Sequence, residues 1–323
     1  MLSYGWGSPV FNFNWSLPYW LSEPFLFAGW STTAAQKMVV ASAIPLSYLT
    51  MFAFLALWLG FWPAIAGSTI YIWANFRIYL LYTSGASGME VGFIFWPLLF
   101  LPVLLIEKRK YVSAFLLTST ATALIMLSHQ VMFLMIQPLF WSFVILRQFQ
   151  VKHRSIFLKT ICSFGIGLLI SAYFWLPAIA EKQYIHIGET VHNYVAEFLS
   201  PLILFLQPGL FTLPGDNLWK YIYGTGWIVL LVVGISIIRF IVRRDSVRLL
   251  FIVFFILAEF LITPYSLLFW KIIPLLPQFI YPVRFQALAL FCASILTGFL
   301  LKKNKYAPQW SLILIILILI LNI

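Results

Sequence analysis

Residues 91–110 read VGFIFWPLLFLPVLLIEKRK. From Val91 to Ile106 no side chain is charged, and then Glu107, Lys108, Arg109 and Lys110 arrive together. The apolar part approaches the roughly 20 residues that carry an α-helix across a hydrocarbon core about 30 Å thick. A helix satisfies its own backbone donors and acceptors there, which extended chain does only in a closed barrel. The period-two alternation of a barrel strand is absent. The abrupt cationic stop marks a membrane boundary. This stretch decides the fold: a spanning helix that ends on a cation-rich side.

The same pattern repeats along the chain. Apolar runs fall at 38–60, 61–76, 91–106, 111–128, 131–147, 157–178, 226–242, 249–263, 284–301 and 309–323, separated by short polar breaks. Of 323 residues, 63% are hydrophobic and 9% charged, against about 25% charged in a soluble domain. The expectation is an all-α, polytopic transmembrane helical bundle of about ten spans. It forms a single membrane domain over 1–323, with interfacial helices in its outer loops. Cys162 and Cys292 lie inside apolar runs, without zinc or disulfide spacing, and read as structural thiols.

The net charge of +11 would suit a nucleic-acid partner if it were spread over one face. It is not. Fourteen of the 20 basic residues fall in alternate breaks: Lys108, Arg109 and Lys110; Arg147, Lys152, Arg154 and Lys159; Arg239, Arg243, Arg244 and Arg248; Lys302, Lys303 and Lys305. Lys and Arg concentrate on the cytoplasmic side, so these breaks are cytoplasmic and the partner is the lipid bilayer, not nucleic acid. Most acids fall on the other side: Glu23, Glu90, Glu181, Glu189, Glu197 and Asp216, with Glu259 near the outer end of a span. Either a functional outer face or ordinary loop solvation accounts for that bias.

Two outer segments are long. Residues 1–35 are rich in Trp, Phe, Tyr, Pro and Ser, which suits short helices in the interface. Residues 181–225 are broken by Pro201, Pro208, Gly209, Pro214 and Gly215. Residues 1–35 carry no signal-peptide pattern, yet parity places them outside, which implies a transmembrane helix ahead of Met1.

No nucleophile elbow, phosphate loop, zinc-protease or dinucleotide motif is present. What remains is a set of ionisable side chains at the outer membrane boundary, where their cost makes them candidates for function. Glu90 suits an acceptor hydroxyl or a metal, or is a loop carboxylate. Arg77 suits a phosphate, or anchors at the interface. His129, in Leu127-Ser128-His129-Gln130 between two runs, is a ligand or proton carrier, or a helix cap. Glu181 and Lys182 either bind substrate or pair with each other. Arg284 opens a helix against the helix dipole, which calls for an anionic partner. Glu259 is a buried acid or one that snorkels outward. Glu90, His129 and Glu181 are expected to converge on one outward-facing cavity beneath residues 1–35.

Several stretches together resemble one family. They are Tyr4-Gly5-Trp6-Gly7-Ser8-Pro9-Val10-Phe11-Asn12-Phe13 with Leu17-Pro18-Tyr19-Trp20; Met89-Glu90-Val91-Gly92-Phe93-Ile94-Phe95-Trp96-Pro97-Leu98; Leu127-Ser128-His129; Phe174-Trp175-Leu176-Pro177 with Glu181-Lys182-Gln183-Tyr184; and Tyr281-Pro282-Val283-Arg284-Phe285. They resemble bacterial membrane proteins labelled 6-pyruvoyl-tetrahydropterin synthase-related, which are grouped with the GT-C glycosyltransferases. The resemblance implies a GT-C-like fold with a six-helix module over 38–178, an outer loop at 181–225 and C-terminal helices over 226–323.

It further implies sugar transfer from a polyprenyl-phosphate donor on the outer face of the inner (plasma) membrane. Such chemistry uses a carboxylate as base or as ligand to a divalent metal, and cations for the phosphate. Glu90 resembles the family's second acidic position; Glu90 and His129 would be catalytic, with Arg77, Glu181, Lys182 and Arg284 binding substrate. The chain departs from the pattern in having no Asp before Asp216, so the family's first acid would lie ahead of Met1. It also has Thr83 and Ser84 in the stretch where the family's nearby Arg is expected. A reading from another class is a non-catalytic protein that transports or flips a lipid-linked glycan. Such a protein would place polar groups at mid-membrane and break helices in matched halves.

Overall fold

The computed structural model describes residues 14–81, 85–152, 155–181, 225–279 and 281–321. All regular structure among them is helical. The short helix α1 (Leu17–Phe27) leads into α2 (Thr32–Leu59), α3 (Phe61–Trp73) and the single turn α4 (Asn75–Tyr79). Then come α5 (Ser87–Glu107), α6 (Tyr111–Ser128), α7 (Gln130–Val151), α8 (Ser155–Ile170) and α9 (Ala172–Glu181). The remaining helices are α10 (Trp227–Arg243), α11 (Ser246–Ile262), α12 (Leu267–Ile272), α13 (Phe285–Leu301) and α14 (Ala307–Leu321).

The boundaries have local causes. Ser31 opens α2 by accepting from the Ala34 N–H, and Asp245 opens α11 by accepting from Val247 and Arg248, each satisfying donors a helix leaves unpaired. Gly60, at φ 104°, separates α2 from α3 with a backbone that side chains other than glycine's rarely adopt. Every apolar run of the sequence coincides with helix. The run 157–178 is two helices, α8 and α9, bent by 71° at Ser171, and α11 bends by 91° into the segment 264–272. Among the described residues five helices are long and apolar enough to cross a membrane: α2, α5, α6, α7 and the segment Pro282–Leu301. Counting each bent pair as one crossing gives seven.

Position in the bundle separates two of these from the others. Helix α5 is 89% buried over its apolar window and Pro282–Leu301 is 94% buried, so both are surrounded by protein. Helix α13 packs on α3, α10 and α11. A Cβ on Gly67 would stand 2.6 Å from the Ser294 carbonyl oxygen, so only glycine lets α3 approach α13 this closely. Close backbone approach matters where lipid and side chain are equally apolar, because packing then supplies the association energy. The centre is filled by aromatic rings, with Phe100 and Phe291 centroids 4.9 Å apart and Trp58 edge-on to Phe299 at 5.0 Å. Leu49, Leu116, Leu158, Leu169 and Ile238 are exposed on the outside of the bundle, the surface offered to lipid.

The basic breaks gather at one end. Arg147 reaches across from α7 to Glu107 at the end of α5, with Nε donating to Oε1 and Nη2 to Oε2, both at 2.7 Å. Arg248 lies over the Phe299 ring, and Arg239 donates to the Leu300 carbonyl. Lys302 feels Asp245, Lys303 and Arg147, and its partial burial, the largest influence, lowers its pKa from the ordinary lysine value.

Candidate functional site

Helix α5 runs from Glu90, in its first turn, to Glu107 in its last, about 25 Å at a rise of 1.5 Å per residue. The polar groups described below therefore sit at the end of the bundle opposite the cations. A carboxylate in a first turn faces the positive end of the helix dipole, which accounts for Glu90's position. Arg77 comes from α4, which exists because the backbone of Ala74 turns to an extended conformation (ψ 150°) after α3. The two side chains meet at 2.8 Å, Nη2 to Oε2, with 2% and 1% of their surfaces exposed. The Arg77 guanidinium lies 4.1 Å from the Phe93 ring centroid, one helical turn beyond Glu90, and its Nη2 is 3.5 Å from Ser47 Oγ. The Tyr71 hydroxyl donates to the Phe93 carbonyl at 2.9 Å, fixing that ring.

The pair is not saturated. Among the described residues Arg77 Nε and Nη1 and Glu90 Oε1 have no hydrogen-bond partner, and Oε2 contacts Nη2 without the alignment of a hydrogen bond. Nearly all buried polar groups in folded proteins are paired, so these open positions need an explanation.

His129 lies at the same end of the bundle, where α5 approaches Ser128. Its backbone ends α6 and starts α7, and its Nδ1 accepts from the Met132 N–H at 3.3 Å. Capping, one of the two roles considered for it, is what the ring performs. Nδ1 as acceptor leaves the ring proton on Nε2, which is buried and, among the described residues, without a partner. The ring stacks on Trp15, centroids 5.1 Å apart. Burial first, and the charge of Arg284 second, hold its pKa well below the ordinary histidine value. Gly88 allows this assembly, since a Cβ there would collide with the Ser128 carbonyl and lie 2.6 Å from Trp15.

Arg284 Nη1 donates to the Phe279 carbonyl at 2.9 Å, and its guanidinium lies 5.0 Å from the Tyr281 ring. Glu259 Oε1 accepts from Thr225 at 2.8 Å, and its Oε2 is buried without a partner. These two residues line, with Gln286, a cavity of about 10 Å³, near the least that holds one water. Glu181 ends α9, which packs beside residues 16–20 through the stack of Tyr173 on Trp20 at 5.8 Å. Lys182 lies outside the described residues, as do 1–13 and most of the loop 181–225.

The structure thus brings Glu90 and Arg77 into contact and His129 within the field of Arg284. Glu90 and His129 are packed over, at 1% exposure, rather than lining an open cavity. Trp15, Ser47 and Thr225 were not singled out from the sequence. One tryptophan among 14 carries no signal of its own, and small hydroxyls in apolar runs ordinarily bond their own helix. Among the described residues no three His, Cys, Asp or Glu side chains gather to hold a metal ion. No protein-family model, no curated protein and no solved structure matches the chain.

Proposed function

We propose that the chain is a multi-pass protein of the inner (plasma) membrane, with about ten crossings, cytoplasmic cationic breaks and a GT-C-like glycosyl-transfer site at its outer end. The observation that supports this is the buried Arg77–Glu90 pair with its unmet hydrogen-bonding capacity. Removing two charges from water costs several kcal/mol per ion, and intramembrane ionisable groups mark substrate sites far more often than they stabilise. A phosphate offers acceptors to a guanidinium fork, and a hydroxyl offers a proton to a carboxylate.

In the reaction proposed, the ion pair opens and Glu90 takes the proton of the acceptor hydroxyl as that oxygen attacks the anomeric carbon of the sugar. The bond from that carbon to the donor's phosphate oxygen breaks. The electron pair leaves on the polyprenyl phosphate, which Arg77 holds through the N–H groups that are idle in the resting pair. His129 offers an unpartnered Nε2–H beside this end, and Arg284 adds positive potential. The competing reading, transport or flipping of a lipid-linked glycan, takes its support from the two bent helix pairs, since interrupted helices build transport sites.

Proteoliposomes loaded with polyprenyl-phosphate-linked radiolabelled sugars and a panel of hydroxyl acceptors decide between them. Transfer by the wild type, reduced on the order of 10²–10⁴-fold in Glu90→Gln as expected for loss of a general base, supports the enzyme. Equilibration of the donor between leaflets with no sugar transferred overturns it and establishes the transport reading.

A further inference from the structure

At the cation-rich end a groove of about 310 Å³ opens between α10, α13 and α14. It exists because α14 packs chiefly on α3, leaving the flank between α10 and α13 uncovered. Leu231, Ile235, Leu300 and Leu317 form its walls, and Arg239, Asn304 and Trp310 line it with them. No acid lines it. The volume lies at the small end of the 300–1,000 Å³ range of ligand sites.

Three features specify an occupant. Arg239 is exposed, and its Nη1 is held by the Leu300 carbonyl, which fixes the guanidinium while its other N–H groups stay open. Lys302 and Lys303 are exposed at the same rim, and basic pockets between membrane helices recognise anionic headgroups. From Arg239 to Ile228 the groove follows α10 for about 17 Å at 1.5 Å per residue, close to half of a hydrocarbon core about 30 Å thick. Trp310, also exposed, is the kind of ring that settles at the headgroup level.

We infer that this groove binds one acyl chain of an anionic phospholipid from the cytoplasmic leaflet, with the lipid phosphate on Arg239. The exposed cations around Arg239, with Trp310 at headgroup level, argue for a phospholipid of the cytoplasmic leaflet, and a polyprenyl phosphate is the competing occupant. The inference needs the helices to lie in a bilayer with their cations inward, and is independent of the glycosyl-transfer chemistry proposed at the other end.

Native mass spectrometry of the full chain in detergent tests it, with phosphatidylglycerol and phosphatidylcholine of identical acyl chains as probes. Wild type should prefer phosphatidylglycerol on the order of tenfold, the scale of a charge-assisted hydrogen bond. Arg239→Ala should lose that preference and keep phosphatidylcholine binding, which also reports that it is folded. Ile235→Trp, which fills the groove, should weaken both lipids, and Arg243→Ala, outside the groove, should behave as wild type. An undiminished preference in Arg239→Ala overturns the site. An equal loss in Arg243→Ala reduces it to general surface charge. Displacement of phosphatidylglycerol by an equimolar polyprenyl phosphate overturns the assigned occupant.

Discussion

Two Arg–Glu pairs stand at opposite ends of α5, and they are built on opposite plans. At the cationic end Arg147 and Glu107 form a two-pronged match, both contacts at 2.7 Å, with 16% and 14% of their side chains exposed. Gln150 takes a further N–H at 3.0 Å. Water reaches this pair, so little solvation is lost in forming it. Arg77 and Glu90 make one contact at 2.8 Å in near-complete burial and leave several atoms idle. A buried pair offsets its desolvation only with excellent geometry and full hydrogen bonding. The first pair meets that condition and the second does not, so the first reads as an anchor and the second as a group held ready for something else.

The largest expected effect comes from halving the buried pair. Glu90→Leu should cost about 3–5 kcal/mol in detergent unfolding, the scale for leaving a buried charge unpaired. Arg77→Met should cost less, because a stranded carboxyl can take up a proton while a guanidinium does not give one up. The double variant should return close to wild type; if it is as unstable as Glu90→Leu alone, the pair is a structural keystone and the contrast between the two ends collapses.

A smaller effect separates the ends by pH. Among the described residues His129 is the single histidine, and its folded pKa is depressed. The unfolded chain protonates this ring near its ordinary value of about 6.5, so below that pH the unfolded state binds more protons and stability falls as pH drops. The loss is at most about 1.4 kcal/mol per pH unit, and levels off once the folded ring protonates. His129→Asn keeps a capping side chain and should remove this slope; identical pH profiles for the two proteins would count against a buried neutral ring. The smallest effect is expected of Glu107→Gln, about 1 kcal/mol or less, since Arg147 can extend to water. A loss matching that of Glu90→Leu would erase the distinction.

Helix positions were legible because length and apolarity are properties of a segment alone. The runs at 111–128 and 284–301 fall within a residue or so of α6 and α13. The bend at Ser171 was not, because Ser171-Ala172-Tyr173 carries neither proline nor glycine and the apolar run continues through it. Glu90, Arg77 and His129 drew notice one at a time from their cost at the membrane boundary. Their relations did not, since Arg77 reaches Glu90 only after α4 turns back, and Trp15 reaches His129 from a segment more than a hundred residues earlier. For Arg284 the dipole argument calls for negative potential, and the Phe279 carbonyl, invisible in composition, supplies some of it.

The central place of α13 has a consequence for biogenesis. The segment is synthesised after α3, α10 and α11, yet all three pack around it. Until it leaves the ribosome and partitions sideways into the lipid, its neighbours enclose a vacant lane. Assembly must therefore either hold that lane open or reopen it late, and the contacts made then join residues more than two hundred positions apart. Such distant closure slows folding and lengthens the interval in which an insertase or a quality-control protease meets an unfinished ring of helices.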